Sequence, residues 1–414
     1  MKERSSNAEC HDEPGGGGLT ARYGAPIESL PTMMKLRSQW STAPWERTTL
    51  LDGNPMPGVS SVPDVAIVGG GLTGVSAAYH LAKRGLRPVL FEAGLIGDGA
   101  SGRTGGLVLE GTAVGTMDEV DRCVPGLRRL VDEEEIDCDL ALPGCWEIEH
   151  PGNARDAMLP WSDDGRLVSI ERTVAGGMVQ PMALLIGIAR SAMRLGAILC
   201  EQSQVTRITL KPQLSIETGG SQIKPAHLVI ATNAWINATL PGTPPLHSSL
   251  TFACATEPLE DSLLTAIGLD KGMPFYTSDL PYLWGRPVRG GCVIFGAGLV
   301  YGKPSALEGT DVAEGDSRAV LERLEKRVRG LHPALRAVGF EAAWAGPIAF
   351  ADDSIPLLGT HPQQSRVLVA GGYAGHGVAL SVRAGELLAR AIESNSPLPS
   401  WGSLARRNRA ARNS

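Results

Sequence analysis

From position 64 onward the order of apolar and polar residues turns from patternless to regular. Val65-Ala66-Ile67-Val68 is a short continuous apolar run, as a strand buried on both faces carries. Gly69-Gly70-Gly71-Leu72-Thr73-Gly74 follows, and then Val75, Ala78 and Leu81 recur at helical spacing. Lys83-Arg84-Gly85 puts basic residues and a glycine where that helix should stop. Pro88-Val89-Leu90-Phe91-Glu92 reads as the next strand. The spacing predicts a βαβ unit, because such short connections leave little room for another topology.

The same grammar returns more weakly downstream. A helix is expected over 182–195, a strand over 197–200, a hairpin from 205–210 and 214–218, and a buried strand at 228–231. Between about 241 and 345 the texture changes to aromatic-rich strands at 282–286 and 292–295, followed by a charged helix over 316–330. Val367-Leu368-Val369-Ala370 returns to the buried type, and a helix follows over 378–392. A nucleotide-type domain is therefore expected to be split over 61–115, 170–240 and 346–400. Residues 116–169 and 241–345 would form an inserted substrate domain. Residues 1–60 read as an extension with a disordered first twenty or so and an arm over 40–52. Residues 401–414 read as a frayed basic tail, with Arg406, Arg407, Arg409 and Arg412.

Composition narrows the class of function. The 414 residues are 43% hydrophobic and 20% charged, an ordinary globular balance. The net charge of −6 argues against a nucleic-acid binder, which needs a basic footprint. Seven cysteines lie scattered with no CxxC pair, so reduced thiols and no metal site are expected. No signal-peptide core opens the sequence and no long apolar run follows, so the expectation is a cytoplasmic protein without a membrane span. The run Asp132-Glu133-Glu134-Glu135 reads as a solvated helix face.

Gly69, Gly71 and Gly74 form a G-x-G-x-x-G after a strand and at the opening of a helix, with Glu92 close to the distance expected of a ribose-binding acid. Gly69 permits the tight turn, Gly71 lets backbone approach a pyrophosphate, and Gly74 lets helix pack on strand. The helix N-terminus offers free N–H groups to phosphates. Just beyond lies Gly97-Asp98-Gly99-Ala100-Ser101-Gly102-Arg103-Thr104-Gly105-Gly106, too glycine-dense for a regular element. A plain nicotinamide domain does not need such a loop.

These segments, with Gly371-Gly372-Tyr373-Ala374-Gly375-His376-Gly377-Val378 near the end, resemble the FAD-dependent oxidoreductases of the D-amino-acid oxidase type. The resemblance spans about residues 38–392. Gln39-Trp40 and GASGRTGG are most similar to the γ-glutamylputrescine oxidoreductase-like branch. It implies an α/β FAD-binding domain, Rossmann-like and of the glutathione-reductase type, with an inserted α+β substrate domain on a mixed or antiparallel sheet. It further implies that Gly69, Gly71, Leu72, Thr73, Gly74, Glu92 and Ala93 hold the ADP half. Ala100, Ser101, Arg103, Thr104, Gly105 and Gly106 would line the pyrophosphate and flavin, and Val205 would meet adenine. Thr232 and Trp235 belong to a segment usually written ATGAW, from which Asn233 departs. Gly372, Gly375, His376, Gly377 and Val378 would meet the flavin pyrimidine edge, where reduction builds negative charge.

The activity implied is oxidation of an amine or amino-acid C–N bond to an imine, with oxygen or another acceptor. The arginine that grips a substrate carboxylate in amino-acid oxidases corresponds to Ile348, so an amine or N-substituted amino acid is expected unless Arg286 or Arg103 replaces it. Tyr282, Trp284 and Arg286 alternate on one strand and share a face, lining the pocket or packing the core. Trp344 is expected to face the pocket. His376 is either a base or a hydrogen-bonding partner of the flavin. Relatives with cysteinyl or histidyl flavin place those residues elsewhere, so FAD is expected to be noncovalent. A lysine that speeds reaction with oxygen is absent from 291–296. A D-amino-acid or glycine oxidase-like enzyme, an NAD-dependent dehydrogenase and a non-catalytic FAD-binding subunit stay open as alternatives.

Overall fold

A computed structural model describes residues 40–45, 62–150, 158–278, 282–301, 311–312 and 314–406, with backbone alone at 298–301. The start expected to be disordered, most of the arm, and Arg407, Arg409 and Arg412 lie outside the described residues.

The βαβ unit is present as β1 (Val65–Val68), α1 (Leu72–Lys83) and β2 (Pro88–Phe91). Both strands are buried throughout, which is why they read as continuous apolar runs rather than alternations. Gly85 takes a left-handed φ of 81° just past the helix end, a conformation that costs glycine little. The two strands pair in parallel at the centre of a six-stranded sheet. Its order is Leu357–His361, Gln364–Gly371, His227–Ile230, β1, β2, Ile198–Cys200. Only Leu357–His361 runs antiparallel to its neighbour.

Successive side chains of β1 serve two cores. Val65 and Ile67 pack into a cluster with α1 and the helices Pro181–Arg194 and Gly377–Ser394. Ala66 and Val68 face Val205, Ile208, Leu214 and Ile216 on the other side. The expected hairpin is there, as Val205–Thr209 and Ser215–Thr218, and a third strand, Ser221–Ile223, completes its sheet. Two small residues bring helix Gly377–Ser394 onto α1: a Cβ on Gly385 would lie 2.6 Å from Ala77 N, and Ser76 Oγ donates to the Val382 carbonyl at 2.7 Å. The end of the chain is thereby fastened to the dinucleotide turn.

The second sheet has eight strands in the order Phe340–Phe350, His247–Thr256, Val293–Tyr301, Leu283–Pro287, Phe275–Thr277, Cys145–Glu149, Arg166–Val174, Met158–Asp163. All pairings are antiparallel except that of Phe275–Thr277 with Cys145–Glu149, so the sheet is mixed. Helix Gly315–Leu331 covers one face through Leu324, Val328 and Leu331. Strand Phe340–Phe350 runs across the 345/346 boundary read from the sequence, and Arg166–Val174 begins before 170. Strand pairing rather than composition sets both limits.

Two further readings need correction. The tail does not fray at once, because Arg406 donates to the carbonyls of Trp401 and Pro356 and pairs with Asp353. The acidic run is only partly a solvated face. Glu134 accepts Tyr79 Oη at 2.6 Å and Arg194 at 2.7 Å, binding α1 to helix Pro181–Arg194. Among the described residues no cluster could hold a metal ion, and no helix is long and apolar enough to cross a membrane.

Candidate active site

A single cavity of about 1520 Å³ runs from the glycine turn after β1 to the uncovered face of the eight-stranded sheet. That exceeds the ~300–1,000 Å³ of an ordinary small-molecule pocket. It has room for a dinucleotide and a substrate together.

At one end the walls are backbone. Gly69, Gly71, Leu72, Thr73, Glu92, Ala93, Ala100, Ser101, Val205, Thr232 and Trp235 all line the cavity. Gly74 does not, and its role is packing: a Cβ there would lie 2.0 Å from the Gly69 carbonyl oxygen. Gly71 is a cradle of the same kind, with Ser101 Oγ 2.9 Å from its missing Cβ. Ser101 Oγ also accepts Leu72 N–H at 2.9 Å, fixing the glycine-dense loop to the helix start. Glu92 accepts Gly70 N–H at 2.7 Å and Gly94 N–H at 2.8 Å. Its burial raises the carboxyl to about 7.

Next to this end the C-terminal turn supplies Gly375, His376, Gly377 and Val378, where helix Gly377–Ser394 begins. Its N-terminal N–H groups therefore open on the cavity, favouring negative charge there. His376 Nδ1 is buried without a hydrogen-bond partner, and burial holds its imidazole below the ordinary value. A donor or acceptor from a bound group would satisfy it. Tyr373 Oη meets Thr73 Oγ1 at 2.8 Å, joining this turn to the first one. Gly372 does not line the cavity; its N–H donates to Asn233 Oδ1 at 2.8 Å. This explains the departure from glycine in the ATNAW segment. Asn233 adopts a left-handed φ of 43°, which asparagine tolerates, and its amide adds a link glycine could not make.

The family model for FAD dependent oxidoreductase, designated DAO, matches residues 64–391. The chain belongs to that family. It is accordingly an FAD-dependent oxidoreductase, and the cradles and the unpartnered Nδ1 of His376 fit that cofactor. A γ-glutamylputrescine oxidoreductase of Escherichia coli is 26% identical over 375 residues, 80% of this chain and 84% of the relative. A glycine oxidase of Bacillus licheniformis is 24% identical over 382 residues, 82% and 95% of the two chains. Among solved structures, L-proline dehydrogenase from P. horikoshii superposes with a TM-score of 0.67 at 20% identity, covering 83% of this chain and 97% of that one. Glycine oxidase from Geobacillus kaustophilus gives 0.66 at 21% identity, with 84% and 99% covered.

The two arginines considered as substrate anchors in this oxidoreductase are occupied elsewhere. Arg286 does not line the cavity. It is buried, donates to the carbonyls of Gly105 and Val179, and lies 5.1 Å from the Trp45 ring centroid. Alternation on the strand put it beside Trp284, but its length carries the guanidinium under the loop. Gly106 is likewise off the cavity, packed on the Val179 carbonyl. Arg103 borders the cavity, yet its guanidinium donates to the carbonyls of Ser41 and Asp98 and lies 5.5 Å from the Trp40 ring. Both clamp the arm and the glycine loop together.

Tyr282, Trp284, Trp344 and Ile348 do reach the cavity. Trp344 is buried and its indole N–H donates to the Arg103 carbonyl at 2.9 Å. The Trp284 indole fills the space that a Cβ on Gly105 or Gly296 would need, at 2.1 and 2.0 Å. Ile348 Cδ1 lies 3.7 Å from the Cβ position of Gly375, so an apolar side chain stands beside the C-terminal turn. No lysine or cysteine is among the described residues lining the cavity, and His376 is their single histidine.

Sequence reasoning missed a polar cluster on the opposite wall. Glu147, Arg172 and Tyr276 line the cavity; Glu147 Oε2 accepts Arg172 Nε and Nη2, each at 2.7 Å, and Tyr276 Oη at 3.2 Å. No spacing along the chain signals it, because the three residues sit on three different strands.

Proposed function

We propose that this FAD-dependent oxidoreductase removes hydrogen from the C–N bond of an amine, or of an amino acid substituted on nitrogen, and leaves an imine. The observation that carries this reading is the apolar Ile348 beside the C-terminal turn, with Arg103 and Arg286 both spent on carbonyls. An α-carboxylate next to the reacting carbon would find no arginine there. Relatives named for γ-glutamylputrescine and for glycine put amine and amino-acid chemistry within reach of the fold.

FAD, when bound, supplies the hydride acceptor. Gly69, Gly71, Leu72, Thr73, Glu92, Ala93 and Ser101 would hold its adenosine diphosphate half, with Val205 beside the adenine. Thr104, Gly105, Gly375, His376, Gly377 and Val378 would border its ring system, noncovalently, since no cysteine is among the described residues lining the cavity. Trp284, Trp344 and Tyr282 would orient the substrate and exclude water, which is most of what a positioning enzyme contributes. With the imidazole kept neutral, His376 serves as a hydrogen-bonding group rather than a charged acid. Electrons would then leave to oxygen or another acceptor.

An anaerobic substrate screen on flavin absorbance tests this. Bleaching by primary or secondary amines, with little by D-alanine, is expected. Strong bleaching by D-alanine and none by amines would refute it.

A further inference from the structure

We propose that Arg172 is the specificity-determining residue of this enzyme. It would bind a carboxylate at the far end of an elongated amine substrate, in an orientation fixed by Glu147 and Tyr276. The inference rests on the amine reading above and adds what the substrate must carry.

Strand register places one row of direct neighbours across seven strands: Trp344 opposite Ala253, then Gly296, Trp284, Tyr276, Glu147 and Arg172. Direct cross-strand neighbours project from the same face of a sheet. Every member but Gly296 lines the cavity, and the Trp284 ring occupies the space over Gly296. The row thus forms a floor that starts at the glycine loop, where Trp344 and Trp284 touch Arg103 and Gly105. It ends in a charged group. With strands about 4.8 Å apart, the three steps from Trp284 to Arg172 span about 14 Å of sheet. An α-amino acid cannot bridge that span, because its carboxyl carbon is bonded to the reacting carbon.

Arg172 is the lining guanidinium that backbone carbonyls do not consume. Glu147 takes its Nε and one Nη2 donor, which fixes the plane of the fork, and the side chain is 63% exposed. A guanidinium has five N–H donors, so three stay available to an incoming carboxylate. Tyr276 Oη donates to the same Glu147 oxygen and steadies the pair from the Trp284 side. The other lining acids are placed elsewhere. Glu92 is bound to the glycine turn, Asp98 accepts Leu95 N–H, and Glu110 caps helix Cys123–Glu133 through the N–H groups of Cys123 and Val124. Among the described residues, the far wall therefore offers one cation with open donors.

The test uses the FAD-loaded enzyme and straight-chain amines of increasing length, each ending in a carboxylate, a carboxamide or an ammonium group. Initial rates give KM and kcat separately. Thermal shift with the same compounds reports binding whether or not turnover occurs. In the wild type the carboxylate end should lower KM roughly tenfold against the carboxamide at the favoured length, with kcat little changed. Arg172→Gln should erase that ratio by raising KM for the carboxylate series, and Arg172→Lys should restore part of it. An unchanged ratio in Arg172→Gln would overturn the assignment, as would a wild-type preference for the ammonium end or for none. Failure of every amine to bleach the flavin would instead sink the amine reading, and thermal shift would still decide the carboxylate preference.

Discussion

Replacing Glu92 with glutamine probes how the adenosine half of FAD is held. The carboxylate is buried, with one backbone N–H on each oxygen, Gly70 on Oε2 and Gly94 on Oε1. Each oxygen keeps a further lone pair for a ribose hydroxyl. Desolvation outweighs those two donors and lifts the group from 4.5 to about 7. About one-tenth of the apoprotein then carries the charge at pH 6, and about nine-tenths at pH 8. Only the charged form accepts on both oxygens, so FAD affinity should rise about tenfold over that interval. Glu92→Gln loses the charge and turns an amide N–H₂ toward a backbone donor. Its Kd at pH 8 should rise about 10- to 100-fold, and the pH dependence should vanish. Titration of apoprotein with FAD, followed by flavin fluorescence at both pH values, measures this. A variant that keeps the tenfold slope would refute the reasoning. The same group shapes apoprotein stability. Its folded pKa lies above the unfolded one, so its contribution is fully present below pH 4.5 and is lost as pH rises through 7, a change of about 3 kcal/mol. The urea midpoint should fall from pH 5 to pH 8 in the wild type and much less in the variant.

Arg286→Gln should destabilise the protein by about 3 kcal/mol in urea unfolding, because two carbonyls lose a charged donor, while KM for every substrate stays unchanged. A raised KM with intact stability would restore the substrate-anchor role. Gly105→Ala places a Cβ 2.1 Å from the Trp284 ring, so the indole must move off the loop; a blue- or red-shifted tryptophan emission and a many-fold loss of FAD affinity are expected. His376→Gln should leave the shape of the kcat/KM profile between pH 7 and 9 intact, since burial holds the imidazole below its ordinary value. Loss of an acidic limb in the variant would show that His376 titrates in catalysis. Acid precipitation of the loaded enzyme should leave all flavin in the supernatant.

The dinucleotide half was legible because its chemistry is local. Buried parallel strands carry apolar runs, and Gly69, Gly71 and Gly74 answer to contacts within one turn. Glu92 ends the very next strand. The expected bounds of α1 and of helix Gly377–Ser394 agree with the observed ones to within a few residues for the same reason. Side-chain destinations were less legible. Arg103 and Arg286 were candidate replacements for a substrate-anchoring arginine, yet both end on main-chain carbonyls distant in sequence, such as Ser41 and Ala345 for Arg103. A long side chain on a cavity-facing strand can pass beneath a neighbouring loop, and alternation carries no record of that. Asn233 shows the converse. It departs from the family glycine, yet its left-handed backbone preserves the turn and its amide adds a bond.

The wall opposite the glycine-dense loop is where sequence patterns are silent on physical grounds. Trp344, Trp284, Tyr276, Glu147 and Arg172 become neighbours only through the register of seven strands, one pair of them parallel and the rest antiparallel. A slip of one residue in any of these pairings would turn its side chains to the helix-covered face and break the row. Register is held by the apolar residues beneath, such as Ile148, Phe275, Leu283 and Phe295, which share one core cluster with Leu324, Val328 and Leu331 of helix Gly315–Leu331. Substrate selection in this enzyme therefore depends on a core that never touches substrate. Large-to-small changes at Phe275 should disturb the charged end of the floor before they disturb FAD binding, because Phe275 pairs with Trp146 beside Glu147 while the glycine turns are built on the other sheet.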